Sequence, residues 1–146
     1  MVLLAFAIAA PAADVSSIGN WTETVDASDL IAGAGSNVTS QYESVSGSTI
    51  LAIVNTAGGS WRVLARCSAD VWHDNLTLSL RRTSDGSGSG TILGGSGYVQ
   101  LSSLDTEIFS GIGDRSSVAV QFRLTGMSKD IFPNTYNSGI TFIIVQ

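Results

Sequence analysis

Charge is scarce in this chain, and positive charge scarcest of all. Seven Lys and Arg face twelve Asp and Glu in 146 residues, for a net charge of −5. Nucleic-acid binding requires clustered basic residues to neutralise phosphates, so this balance argues against it. The few arginines instead alternate along apparent strands, as Arg62 with Arg66 and then Arg81 with Arg82. Cys67 is the single cysteine, which excludes a disulfide within the chain; on an apolar strand face it reads as a small buried residue. His73 is the single histidine, in Asp70-Val71-Trp72-His73-Asp74, and no further His or Cys is present to complete a zinc site. A Ser-His-Asp hydrolase would have to use that histidine, and no Gly-x-Ser-x-Gly elbow accompanies it. Gly86–Gly90 lacks the lysine and following helix of a phosphate cradle, so it reads as a loop, with calcium at Asp85 as the other reading. Glu23, Asp26 and Asp29 could be taken as glycosidase carboxylates, but they read better as a solvated loop. No cofactor site follows from any of these patterns, and the chain does not read as an enzyme.

Helical periodicity is missing as well, whereas Gly, Ser and Thr abound. That combination points to short strands joined by tight turns, and the length suits one domain with its own core. The most β-prone stretch is the last. After Pro133-Asn134, the run Gly139–Gln146 has Ile140, Phe142 and Ile144 on one face and Thr141, Ile143 and Val145 on the other. Both faces are largely apolar, so the strand is expected to be covered on both sides or to border a cleft that a partner fills.

Further strands are expected at 20–25, 49–55, 61–67, 76–82, 91–93, 98–101, 107–109 and 117–125. Leu30–Asn37 is a glycine-bearing loop, Thr56–Ser60 a hairpin turn, Thr83–Gly90 a flexible loop and Gly111–Ser116 a further turn. Trp61, Val63, Ala65 and Cys67 share an inward face, as do Leu76, Leu78 and Leu80. Val118, Val120, Phe122 and Leu124 form a third apolar row, expected to pack against the leucines across a sandwich.

Residues 1–13, Met1-Val2-Leu3-Leu4-Ala5-Phe6-Ala7-Ile8-Ala9-Ala10-Pro11-Ala12-Ala13, have the apolar run and small-residue site of an export signal. They are too short to span a membrane, and no span is expected in the mature chain. In the other reading the segment is retained, and Val2, Leu4, Phe6 and Ile8 alternate as in a strand that fills a groove. Residues 14–29 form a polar extended segment carrying Val15, Ile18, Trp21 and Val25. Residues 30–146 are then the sandwich domain.

The close of the chain, a Thr135-Tyr136 after a turn followed by an alternating Thr/Ile/Val strand, resembles that of spore coat U-like and archaic chaperone–usher pilus subunits. Trp61-Arg62-Val63, Arg81-Arg82-Thr83-Ser84-Asp85-Gly86 and Gly113-Asp114-Arg115-Ser116 are similar to a pattern in such exported bacterial surface proteins. The resemblance implies an all-β fold: an immunoglobulin-like antiparallel β-sandwich, incomplete and completed by a donor strand from a neighbouring subunit. It also implies a secreted or cell-surface subunit of a pilus-like fimbrial filament or coat, active in adhesion or biofilm. Its partners would be copies of itself, a periplasmic chaperone and an outer-membrane usher. On this reading Ile140, Phe142, Ile143, Ile144 and Val145 border the groove. The donor is drawn from Val2, Leu4, Phe6 and Ile8, or from Val15, Ile18, Trp21 and Val25.

The alternative is a secreted carbohydrate-binding or adhesive module, with Trp21, Trp61, Trp72 and Tyr98 as a stacking platform. Asn20, Asn37 and Asn75 each begin an Asn-x-Thr sequon open to glycosylation.

Overall fold

A computed structural model describes residues 12–146. Strands, in chain order, are β1 (Asp14–Gly19), β2 (Gln41–Glu43), β3 (Thr49–Val54), β4 (Ser60–Val71), β5 (Thr77–Arg82) and β6 (Ser87–Gly88). There follow β7 (Ile92–Leu93), β8 (Val99–Gln100), β9 (Thr106–Ile112), β10 (Arg115–Thr125) and β11 (Asn137–Val145). A single turn of 3₁₀ helix, Ala27–Asp29, interrupts them, and there is no α-helix among the described residues.

The strands form two antiparallel sheets. The first runs β1-β3-β10-β5-β8, with β2 and β6 also paired to β10; the second runs β11-β4-β9-β7. The apolar rows predicted by alternation meet between the sheets. Leu51, Ile53, Leu80, Val118 and Val120 of the first sheet are fully buried, as are Val63 and Ala65 of the second, with Trp61 and Phe109 close behind. Trp61 packs edge-on to Phe109, ring centres 6.2 Å apart, and donates its indole N–H to the Gly113 carbonyl at 2.8 Å. A buried aromatic thus keeps its polar atom bonded. Gly111 makes room for it: a Cβ there would lie 2.5 Å from the Trp61 ring. Each buried aliphatic side chain contributes about 1.5–3 kcal/mol of transfer free energy.

Several expectations change. Thr56–Ser60 is no hairpin, because β3 belongs to the first sheet and β4 to the second; the turn carries the chain between sheets. The β10 row does not face the leucine row across the core. It lies beside it, Phe122 opposite Leu80 and Leu124 opposite Leu78 in one ladder. The first strand is Asp14–Gly19 and not 20–25; it pairs with β3 from Asp14↔Val54 to Gly19↔Thr49. It lies at a sheet edge with Ile18 80% exposed, so its side chains carry little apolar signal for a strand within the sheet. Residues 14–19 are therefore an integral strand of the first sheet, not a separate segment.

Thr83–Gly90 is not a free loop either. Buried Arg115 donates to the carbonyls of Asp85 (2.7 Å), Gly88 (3.0 Å) and Gly90 (3.3 Å), and Ser87–Gly88 pairs with β10. Asp85 itself is ion-paired to Arg82. Carboxylate and carbonyls that would serve a calcium ion are thus already engaged by guanidinium groups.

Candidate functional site

The last strand is where the sequence pointed, and the structure makes it a sheet edge. β11 pairs with β4 from Asn137↔Val71 to Val145↔Arg62 and has no partner on its other side among the described residues. Ile140, Phe142 and Ile144 pack on the core but stay only half-buried, since the layer above them ends at β1. On the outer face Thr141 is exposed while Ile143 and Val145 are half-buried beside Leu64 and Arg62. Side chains of both signs border this face, in the pairs Arg62–Glu107 (3.4 Å) and Arg66–Asp105 (3.3 Å). Such exposed pairs contribute at most about 1 kcal/mol each.

β1 and β11 approach each other along the open side of the two sheets. They leave between them a cleft of about 210 Å³ bordered by Gly19, Trp21, Leu78, Phe122, Ile140 and Phe142. Trp21 is half-buried there and donates its indole N–H to Glu23 at 3.3 Å. At the far end of the same edge Gln146 accepts from the Ala13 amide (3.3 Å) and donates to the Thr56 carbonyl (2.9 Å). The cleft and the point where residues 1–11 join the domain therefore lie at opposite ends of β11.

Of the two candidate donor sets, Val15 and Ile18 belong to β1 and are paired within their own domain, while Trp21 and Val25 follow it outside any strand. Residues 14–19 are thus not a free segment in this fold, because the ladder to β3 already uses one edge of their backbone, while 20–25 form no strand. Val2, Leu4, Phe6 and Ile8 lie outside the described residues.

The four aromatic residues of the sugar-platform reading are not gathered. Trp61 is in the core, Trp21 borders the cleft, Trp72 donates to the Leu76 carbonyl at 2.9 Å, and Tyr98 lies under Arg81 and Arg123. His73 stacks edge-on to Tyr136, and its Nδ1 accepts from the Asn75 amide. No group of three His, Cys, Asp or Glu suited to a metal occurs among the described residues. Cys67 is half-buried on β4 opposite Ile140. Asp26 caps the 3₁₀ turn, accepting from Ser28 Oγ and N, both at 2.7 Å, and the Ser28 hydroxyl is the first cause holding its carboxyl below the usual range. Asn20, Asn37 and Asn75 are all exposed, although the Asn37 side-chain carbonyl also accepts from the Lys129 amide at 2.8 Å. No helix among the described residues is long and apolar enough to cross a membrane.

No protein-family profile matches the chain, and neither curated proteins nor solved structures yield a match.

Proposed function

We propose that this chain is an exported structural subunit, not an enzyme, that polymerises head to tail into an extracellular filament or surface coat. The observation that carries the reading is β11: nine residues long, uncharged, partly buried, and paired along one edge only among the described residues. An unpaired edge presents backbone donors and acceptors to any extended segment, and apolar rows on both faces reward its addition. The immunoglobulin-like character of the sandwich belongs to the same proposal, with the free edge of β11 as the place of the missing strand. The donor is Val2–Ile8 of a neighbouring copy, whose alternate apolar side chains would each contribute about 1.5–3 kcal/mol if buried. Because Ala13 sits at the opposite end of β11 from the cleft, donation does not close on itself and propagates as a fibre. A periplasmic chaperone and an outer-membrane usher would hold the edge paired until assembly.

Deleting residues 1–13 tests the reading. The full chain should form polymers visible by negative-stain microscopy, and the deletion variant should sediment as a monomer with unchanged strand content. Polymers that persist after the deletion, or a full chain that stays monomeric at every concentration, would refute it.

A further inference from the structure

Outside the edge, the outer face of the first sheet carries a second constellation that the filament reading does not use. The chain has six arginines, and the structure separates them by what they bind. Arg62, Arg66 and Arg82 each pair with a carboxylate, and Arg115 is spent on loop carbonyls. Arg81 and Arg123 form no ion pair with a carboxylate among the described residues. Instead both lie against one ring: their guanidinium carbons stand 4.7 and 3.9 Å from the Tyr98 centroid.

The register explains the convergence. Gln100, Ser79, Arg123 and Glu43 form one row across β8, β5, β10 and β2, and Arg81 with Gln121 forms the next. Ser79, 6% exposed, is small enough for Arg123 to reach over it toward Tyr98. Arg81 is held in place: its Nε and Nη2 donate to Gln121 Oε1 at 3.0 and 2.8 Å, and Gln121 Nε2 donates to the Ser44 carbonyl at 2.6 Å. That leaves the Nη1 donors of Arg81 uncommitted. Arg123 Nε and the Tyr98 hydroxyl are both shielded from solvent and hydrogen-bonded to nothing in the protein. Burial first, and then the nearby Glu43 carboxylate, raise the pKa of Tyr98, yet no hydrogen bond of good geometry joins the two.

Two guanidinium groups against one ring, that of Arg81 held by Gln121 and that of Arg123 with an orphaned Nε, offer charged donors to an oxyanion, since planar guanidinium matches carboxylate geometry. The surrounding row of Gln100, Ser79 and Glu43 is wholly polar, which suits the hydroxyls of a sugar and offers no pit for an apolar side chain. We infer that Arg81, Arg123 and Tyr98 form a binding subsite for the carboxylate of an acidic saccharide of the uronic-acid type. The carboxylate lies against the two guanidinium groups, while Gln100 and Glu43 meet ring hydroxyls. Glu43 keeps the site selective, because a ligand of dense negative charge meets its repulsion. The site is independent of the β11 edge and persists whether or not the chain polymerises.

The test is titration of the full-length protein with glucuronate, glucose and acetate at low salt, followed by amide chemical shifts. Glucuronate should shift resonances of β5, β8 and β10 with saturation in the millimolar range, while glucose shifts none. Arg123→Gln should raise the Kd about ten-fold, the usual effect of losing one charged hydrogen-bonding partner. Arg123→Lys should recover only part of that loss, because it restores charge without the fork. The remaining shifts of each variant report whether its sheet is intact. Equal response to acetate and glucuronate would overturn the saccharide assignment. Absence of saturable shifts, or an Arg123→Gln protein that binds as before with its sheet intact, would overturn the site itself.

Discussion

The two ends of this molecule's sheets are built on opposite plans. At one end two of the inter-sheet crossings, 55–59 and 113–114, are fastened to each other. The Asp114 carboxylate accepts from both the amide (2.9 Å) and the hydroxyl (2.6 Å) of Thr56, Gly113 N–H donates to the Gly59 carbonyl, and Trp61 reaches the Gly113 carbonyl. The turn tolerates unusual backbone, with Asn55 at φ 60° and Ala57 at φ 51°, because these bonds over-determine it. Along the open side, β1 and β11 are single-paired edges among the described residues, and their apolar side chains remain half-covered or, as at Ile18, exposed. One region spends its polar groups on itself; the other leaves backbone and apolar surface available. Stability is therefore expected to reside at the crossings and assembly at the edge.

Substitutions should separate the two. The largest loss is expected for Trp61→Ala, which removes a core side chain 2% exposed, its edge-on contact with Phe109 and its bond to Gly113; thermal or urea unfolding should show about 3–5 kcal/mol. Phe122→Ala, in the same core, belongs to the same range, and an unchanged melting temperature would contradict the burial of that face. Asp114→Ala should lower the melting temperature by less than those core truncations, by leaving the buried Thr56 amide and hydroxyl unpaired.

Acid should act through the same carboxylate. The Thr56 hydroxyl first, then backbone amides, hold the Asp114 pKa below its ordinary value. A depressed carboxylate stabilises the fold above its unfolded pKa and loses that contribution as pH falls through the folded value. Denaturation midpoints should thus drop below about pH 4, and the drop should be shallower in Asp114→Asn. The smallest effect on the monomer is expected at the edge. Thr141→Lys, on an exposed position of β11, should move stability by no more than about 0.5 kcal/mol. It should nevertheless weaken polymerisation, since edge lysines oppose strand addition.

Much of this contrast was legible in the sequence, though unevenly. Alternation correctly gave the inward rows of β4, β5, β10 and β11, because side-chain period 2 is a local property. It did not give partners. Nothing in Thr56-Ala57-Gly58-Gly59-Ser60 tells a hairpin from a crossing between sheets, since both need the same turn chemistry, and so β5 and β10 were expected face to face when they lie side by side. β1 was read as part of an extended donor segment and not as a strand of its own sheet, because Asp14-Val15-Ser16-Ser17-Ile18-Gly19 buries too little to mark its pairing with β3. Arg115 was read as part of a turn; only the folded register places its guanidinium under the 85–90 carbonyls. The Tyr98 cluster was equally hidden, as its members come from three strands or their flanks, and single-sequence spacing carries no trace of that meeting.

Hydrogen exchange on β11 tests the central claim most directly. In a single-paired antiparallel edge, alternate amides bond to β4 and the rest face outward. The account predicts that the outward amides of Asn137–Val145 exchange fast in a protein lacking residues 1–13 and become protected in the assembled full-length chain, while the amides of β10 are unchanged. Equal exchange of the outward β11 amides in both proteins, with polymers present in one, would contradict it.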